Sequence, residues 1–128
     1  MGLSGQPFTV LKFRTMVPDA VSKGPAWTVT GDPRVTRVGK FLRRTALDEL
    51  PELISILRGQ MSFVGPRALG VEEYETLRKE IPGFEKRLRV MPGLTGLAQV
   101  YNKSDSPLGK FAYDLRYIEQ MGFWLDVK

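Results

Sequence analysis

Residues 47–53, with the sequence LDELPEL, decide how the chain around them folds. Proline inside a helix loses a hydrogen bond and clashes with the carbonyl four residues back. Pro51 therefore requires a helix that begins at about Asp48 or a longer helix that kinks there. Both arrangements place the carboxylates where backbone N–H groups lack partners, a position that favours negative charge and also attracts phosphate. Helix capping is the alternative, with Asp48 as the N-cap or Thr45 and Asp48 as a capping box.

The composition restricts the chemistry that the chain can perform. Its 128 residues are 42% hydrophobic and 26% charged, and they include no cysteine and no histidine. This excludes disulfides, thiolate nucleophiles, the usual nitrogen and sulfur zinc sites, and Ser-His or Cys-His catalysis. Carboxylates, lysine, arginine, hydroxyls or a hard cation held by oxygen ligands remain. The apolar runs fall short of the ~18 residues that a membrane-spanning helix needs, so any membrane contact is expected to be peripheral.

The residue pattern predicts an α+β fold: one mainly helical domain over residues 1–128 with a small antiparallel β element. Residues 8–13 are rich in β-forming side chains and predict a strand, and residues 27–30 predict a short extended segment within a long loop. Helical spacing from Val38 to a stop at Gly59 predicts one amphipathic helix or two. Further helices are predicted at about residues 72–80, 84–90 and 108–125.

A basic stretch directly precedes the acidic one in a chain whose net charge is +5; it comprises Arg34, Arg37, Lys40, Arg43 and Arg44. Arg37, Lys40 and Arg44 are spaced i, i+3 and i+7, so a helix would place them on one face beside apolar side chains. Such a face can lie on anionic lipid, bind nucleic acid or simply be solvated. Nucleic acid is the poorest match, because no aromatic side chains alternate with these cations.

Other segments carry groups that suit phosphate. Lys12 lies near the end of the predicted strand, Arg14 and Thr15 follow it, and Arg67 follows the tight turn at Gly65 and Pro66. A guanidinium held after a turn suits bidentate phosphate contacts. Taken alone, the segment with Arg67 is equally well explained as an ordinary turn with a surface arginine, and Lys12, Arg14 and Thr15 could line the same site.

Together these segments resemble the ordered signature of one protein family. They are residues 12–16 (KFRTM), 32–39 (DPRVTRVG), 47–53 (LDELPEL), 59–67 (GQMSFVGPR) and 92–100 (PGLTGLAQV). Five motifs in this order, over almost the whole chain, are similar to the bacterial sugar transferases. These are the monotopic phosphoglycosyl transferases that open lipid-linked glycan synthesis.

The resemblance implies an enzyme that moves a sugar-1-phosphate from a UDP-sugar to polyprenyl phosphate, with Mg²⁺, and releases UMP. It implies that Asp48 is the nucleophile, which forms an acyl-phosphate intermediate, and that Glu49 is its partner and a metal ligand. Phosphate-binding cations are then expected at Arg43 and Arg67, with Lys12 and Arg14 lining the same site. Asp114 matches a further acidic position of the family. Nucleic acid is not expected as a partner.

The chain departs from the family pattern in ways that leave the two carboxylates untouched. Ala68 replaces the second proline of the usual Gly-Pro-Arg-Pro, and Asn102 replaces a glycine after the 92–100 segment. The family's N-terminal re-entrant membrane helix and closing apolar segment are not found, so we expect a soluble catalytic fragment of a protein on the cytoplasmic face of the bacterial inner membrane. The exposed edge of the predicted 8–13 strand would favour a homo-oligomer.

Overall fold

The computed structural model describes residues 1–20, 22–24, 31–102 and 106–127. The extended segment predicted at residues 27–30 lies outside the described residues. The chain forms two compact units, which we call the small unit (Val10–Ile54) and the large unit (Met1–Thr9 with Ser55–Lys128).

The small unit is built around two short helices. Helix α1 (Arg37–Arg44) is followed by a 3₁₀ helix (Leu47–Glu52), called the acidic 3₁₀ helix below. Helix α2 (Leu53–Leu57) comes directly after it. The predicted amphipathic region is therefore split into three helices. Gly59, with φ at +69°, adopts the left-handed conformation expected of the predicted stop.

The predicted strand over residues 8–13 is wrong, because these residues form no strand. A run of β-forming side chains becomes a strand only where another strand lies beside it. Here the Phe13 N–H donates instead to the carbonyl of Asp48, at 3.0 Å. Because residues 8–13 form no strand, they present no strand edge through which the chain would self-associate.

The large unit holds most of the regular structure. After a 3₁₀ turn (Leu3–Gly5) it contains, in chain order, β1 (Ser62–Val64), α3 (Val71–Glu80), a 3₁₀ helix (Phe84–Arg89), β2 (Gly93–Thr95), α4 (Leu97–Tyr101), α5 (Pro107–Gln120) and α6 (Phe123–Val127). The helices predicted at 72–80, 84–90 and 108–125 are thus present, the second as a 3₁₀ helix and the third divided in two. Helix α4 has no counterpart in the prediction.

The sheet corrects the predicted antiparallel element, because β1 and β2 pair in parallel, with Ser62 opposite Gly93 and Val64 opposite Thr95. Parallel strands need a long crossover, which α3 and the 3₁₀ helix that follows it supply. The two backbones approach so closely that a Cβ on Gly93 would lie 2.1 Å from the Gly65 nitrogen. The antiparallel pairing among the described residues is a single bridge, between Met16 and Val35.

The hydrophobic core of the large unit is aromatic. The Phe84 ring lies between Tyr74 of α3, at 5.6 Å between ring centroids, and Phe111 of α5, at 5.2 Å. Ile81 completes the buried cluster. Tilted aromatic contacts of this kind join the crossover to α5. None of the described helices has both the length and the apolar character needed to cross a membrane.

Candidate active site

The acidic 3₁₀ helix presents Asp48 and Glu49 in its first turn, both half-buried. Ala46 enters the helix in the left-handed conformation, with φ at 55°, and its side chain makes no capping bond. The Thr45 hydroxyl donates instead to the carbonyls of Phe41 and Leu42 at the end of α1. The capping interpretation of these residues is therefore wrong, because Asp48 lies within the helix and Thr45 belongs to the helix before it.

Pro51 accounts for the hydrogen bond between the acidic 3₁₀ helix and the segment around Phe13. In a 3₁₀ helix, residue 51 would donate its N–H to the carbonyl of residue 48. Proline has no N–H, so the Asp48 carbonyl is left for an outside donor. The N–H of Phe13 takes this place at 3.0 Å. The predicted nucleophile is thus joined through its own backbone to the segment that carries the predicted cations.

Lys12 contacts two of the carboxylates on this helix. Its Nζ lies 2.9 Å from Oε1 of Glu49 and 2.9 Å from Oε1 of Glu52. Residues three apart eclipse each other on a 3₁₀ helix, so Glu49 and Glu52 present their oxygens on the same side. The structure therefore brings Lys12 to Glu49, one of the predicted pair of carboxylates. It adds Glu52, a buried residue that the sequence analysis did not include in the site.

Thr15 links the same segment to α1. Its carbonyl accepts the N–H of Thr36 at 3.0 Å and the Thr36 hydroxyl at 3.3 Å, and that hydroxyl also caps α1 by accepting from the N–H of Gly39. Only glycine fits at residue 39, since a Cβ there would lie 2.0 Å from the Thr15 carbonyl oxygen. The Thr15 side chain is used as well, because its Oγ1 accepts from Nε of Arg43 at 2.9 Å.

Arg43 is thereby oriented through one nitrogen and keeps the rest of its exposed guanidinium for a ligand. Its Nη groups have no hydrogen-bond or ion-pair partner among the residues that the structure describes. Arg14 lies between Phe13 and Thr15 and is exposed. Segment 12–15 thus joins Lys12, Arg14 and Arg43 to the helix that carries Asp48 and Glu49, all within the small unit. This arrangement suits a phosphate ester beside a carboxylate nucleophile.

Arg34 differs from the other cations of the basic stretch. It is buried, and its Nη2 lies 2.7 Å from Oδ2 of Asp32, while Nη1 donates to the Ala20 carbonyl at 2.9 Å. The hydrogen bond to Asp32 raises the pKa of the Arg34 guanidinium. Arg34 therefore serves the packing of the small unit, whereas Arg37, Lys40, Arg43 and Arg44 are exposed on α1.

Two predicted site residues, Arg67 and Asp114, belong to the large unit. Asp114 pairs with Arg87 there, at 2.9 Å between Oδ2 and Nη2, and the same Nη2 donates to the Arg67 carbonyl at 2.8 Å. Burial raises the pKa of the Asp114 carboxyl to about 6, although the Arg87 charge opposes the shift. Burial also lowers the pKa of Arg87.

The Arg87–Asp114 pair borders an open pocket of about 320 Å³ in the large unit. Arg67, Phe84 and Phe111 also line this pocket. Sequence reasoning missed Arg87, because nothing in its local spacing points to a partner 27 positions further along the chain, at Asp114.

The residues present can hold Mg²⁺ in the way that this ion prefers. In the described ranges, no three acidic residues are placed to bind a metal by themselves. Mg²⁺ usually takes one or two carboxylates and completes its shell with water and substrate phosphates. Glu49, beside Asp48 in the first turn of the helix, offers carboxylate oxygens of this kind.

Comparison with known proteins gives the family. The sequence model described as "Bacterial sugar transferase" matches residues 1–128. The chain is 43% identical over 99% of its length to a UDP-glucose:undecaprenyl-phosphate glucose-1-phosphate transferase of Escherichia coli K12, covering 29% of that protein, and 41% identical to an enzyme of the same name from Caulobacter vibrioides, covering 50%. It is also 37% identical over 99% of its length to a UDP-N-acetylgalactosamine-undecaprenyl-phosphate N-acetylgalactosaminephosphotransferase of Aeromonas hydrophila, covering 31%.

The chain thus spans half or less of the length of these relatives. The match nevertheless runs through every motif that builds the small unit, from Lys12 to Leu53, and on through the residues of the large unit. By its sequence over residues 1–128, the chain belongs to the bacterial sugar transferase family.

Proposed function

We propose that the protein transfers a sugar-1-phosphate from a UDP-sugar to polyprenyl phosphate through a covalent intermediate on Asp48. The observation that carries this proposal is the geometry of segment 12–15. Its backbone is bonded to the carbonyl of Asp48, its lysine contacts Glu49, and its threonine orients Arg43. One cation, Lys12, therefore contacts Glu49 before any substrate binds, and a second, Arg43, is bonded to the same segment.

The reaction proceeds by two displacements at one phosphorus atom. In the first, a carboxylate oxygen of Asp48 attacks the phosphorus that bears the sugar, the bond to the bridging oxygen of the diphosphate breaks, and UMP leaves with the electron pair. In the second, a phosphate oxygen of the polyprenyl phosphate attacks the same phosphorus. The bond to Asp48 breaks, and the carboxylate is restored as the lipid diphosphate sugar departs.

The negative charges of the substrate and the carboxylates mean that the reaction needs cations in the site. A diphosphate and two carboxylates repel one another unless cations separate them. We propose that Arg43 and Lys12 contact phosphate oxygens; the contact of Arg43 with Thr15 and that of Lys12 with Glu49 support this role. Glu49 would hold Mg²⁺, which would supply further positive charge to the site. Arg14 is exposed beside them and adds to the positive potential. The roles of Arg67 and Asp114 stay predictions.

The substrate class follows from the relatives together with the site. The relatives above are named as transferases that use UDP-glucose or UDP-N-acetylgalactosamine and undecaprenyl phosphate. We propose a UDP-sugar as donor and a polyprenyl phosphate as acceptor for this chain. Such a reaction is the first membrane step in the synthesis of a polysaccharide or other glycoconjugate.

A lipid acceptor places the reaction at a membrane surface, and α1 suits that position. Arg37, Lys40 and Arg44 are exposed along this helix, beside Val38 and Phe41, whose side chains are 69% and 50% exposed. Cations next to exposed apolar groups suit the head-group region of anionic lipid. We propose the cytoplasmic face of the bacterial inner membrane, where UDP-sugars are available.

The test is a half-reaction with UDP-sugar and Mg²⁺ in the absence of lipid. A panel of UDP-sugars is incubated with the protein, UMP release is measured, and the quenched protein is analysed by intact and peptide mass spectrometry. We expect one UMP per active chain and a sugar-phosphate adduct on the peptide containing Asp48. Asp48→Asn keeps the shape of the side chain and removes its charge, so it should abolish both signals.

The matched control is Asp19→Asn, which removes one negative charge from an exposed residue of the small unit. Asp19 has φ at 60°, a conformation that asparagine tolerates, so this variant should react like the wild type. Glu49→Gln should slow turnover and leave part of the UDP-sugar binding. Turnover with lipid present, but with neither half-reaction UMP nor an adduct, would show direct displacement and overturn the role of Asp48.

A further inference from the structure

Glu52 is the third carboxylate of the acidic 3₁₀ helix, and the reaction as described above does not use it. Its side chain is 5% exposed, compared with 16% for Glu49 and 39% for Lys12. Burying a carboxylate is costly unless a cation or hydrogen-bond donors compensate. The compensating cation here is Lys12, at 2.9 Å.

We propose that Glu52 is a positioning residue, which holds the Lys12 ammonium in place as a preformed ligand for a substrate phosphate. This inference rests on the proposed function, and it assigns to Glu52 a role that acts through Lys12.

Both ends of Lys12 are fixed within the small unit. At its base, the next residue, Phe13, donates its N–H to the Asp48 carbonyl. At its tip, Nζ lies 2.9 Å from an oxygen of Glu49 and 2.9 Å from an oxygen of Glu52. A lysine side chain has a flexible four-carbon stem, and immobilising it on ligand binding weakens affinity. Because Glu52 immobilises it during folding, that cost is not incurred when the phosphate arrives.

The geometry also leaves Lys12 with a donor to use. An ammonium group has three N–H donors; one makes a hydrogen bond to Glu49, and Glu52 lies within ion-pair distance of the same nitrogen. No third partner of Lys12 exists among the residues that the structure describes. Since its side chain is 39% exposed, the remaining donor is accessible to an anionic oxygen.

Glu52 also weakens the ion pair between Lys12 and Glu49. With Glu49 as its sole partner, the ammonium would form a tight pair with that carboxylate and compete with any cation that binds there. A second carboxylate at the same 2.9 Å distance divides the attraction. Glu52 is itself committed to Lys12, in agreement with the finding that the described residues include no three-carboxylate metal site.

The test is a double-mutant cycle of Glu52→Gln and Lys12→Met, read by the affinity for UDP in calorimetry and by the KM for the UDP-sugar. Glu52→Gln keeps the shape and an acceptor oxygen but removes the charge that holds Lys12. We expect it to weaken UDP binding and raise KM at least fivefold, with a smaller change in kcat. In the Lys12→Met background, Glu52→Gln should change UDP affinity by less than twofold, because the residue through which it acts is gone.

The sign of the effect separates this role from a simple charge effect. Removing one negative charge near a diphosphate would by itself tighten UDP binding. Asp19→Asn again serves as the control and should leave UDP affinity unchanged. Unchanged or tighter UDP binding in Glu52→Gln would overturn the proposal, and so would an equal loss in both backgrounds, which would indicate a purely structural role.

A measurement on the wild-type protein keeps the proposal testable if Glu52→Gln does not fold. In nitrogen-15 spectra of lysine side chains, the Lys12 ammonium should give a slowly exchanging signal with restricted motion, whereas the exposed Lys79 should not. A Lys12 signal as mobile as that of Lys79 would overturn the proposal. The spectrum does not depend on turnover, so failure of the proposed function would appear separately, as wild-type protein that releases no UMP.

Discussion

Gly39→Ala tests the close contact on which the geometry of the site depends. In an ordinary helix this change stabilises, because alanine favours the helix by about 1 kcal/mol over glycine. In α1 the added Cβ would lie 2.0 Å from the carbonyl oxygen of Thr15 and 2.7 Å from its carbonyl carbon. A carbon and an oxygen normally approach to about 3.3 Å, so one of the two backbones must move by more than about 1 Å.

The expected loss of stability is the sum of the hydrogen bonds that this movement disturbs and the overpacking that remains, less the gain in helix propensity. The Thr15 carbonyl accepts two hydrogen bonds from Thr36, at 3.0 and 3.3 Å, and each contributes about 1 kcal/mol. Residual overpacking adds about 1–3 kcal/mol, and the helix propensity of alanine offsets about 1 kcal/mol. We expect a net loss of roughly 2–4 kcal/mol in the free energy of unfolding, measured by urea denaturation. The Arg43–Thr15 bond should be disturbed too, so UMP release should fall in the molecules that remain folded.

Gly70→Ala is the matched control, since a Cβ at residue 70 meets nothing within 4 Å. Gly70 is the N-cap of α3, where alanine costs about 0.5–1 kcal/mol relative to glycine, so this variant should lose clearly less stability than Gly39→Ala. If Gly39→Ala unfolds at the same urea concentration as the wild type, or at a higher one, the close approach of α1 to Thr15 is refuted, together with the fixed position of segment 12–15.

Further expectations concern pH and lipid. Burial raises the pKa of the Asp114 carboxyl from 3.8 to about 6, so the folded state binds this proton more tightly than the unfolded chain does. The resulting stability, roughly 3 kcal/mol, is fully present below pH ~4 and is lost as the pH rises through about 6. In urea unfolding from pH 4 to 7.5, Asp114→Asn should lack this component, and a wild-type-minus-variant difference that does not change with pH would contradict the assignment. Reversing the charges of Arg37 and Lys40 to glutamate should weaken binding to anionic vesicles by about 1 kcal/mol per residue at low salt. The same reversal at Arg78 and Lys79 of α3 is the control, and equal losses in the two variants would show that α1 has no special role at the membrane.

Helix positions were the part of the fold most accessible from sequence. Helices α3 and α5 and the stop at Gly59 follow from apolar spacing and from glycine chemistry, which act within a few residues. The predicted 8–13 strand failed because its outcome depends on a partner elsewhere in the chain. Pairing between β1 and β2 was missed for the same reason, since each strand has only three residues and owes its position to the crossover.

In the candidate site, too, local features could be predicted from the sequence, but contacts between distant residues could not. Pro51 indicated a helix start near Asp48 from residues close by in the sequence, whereas the catalytic roles of Asp48 and Glu49 are what the family resemblance implies. The contacts of Lys12 could not be predicted, because Glu49 is 37 residues away in the sequence. Arg87 shows the same limit in the large unit, where it pairs with Asp114.

By itself the sequence determined which chemistry is available and which family the motifs resemble. The absence of cysteine and histidine leaves carboxylates, cations and hydroxyls, and the order of five motifs carries the family. The tertiary structure decided which of these groups meet. Proline at residue 51 leaves a carbonyl without its helical donor, and glycine at residue 39 permits contact with Thr15, but the partners come from segment 12–15. Ion pairs and close backbone contacts depend on distance in space, which local spacing along a chain does not encode.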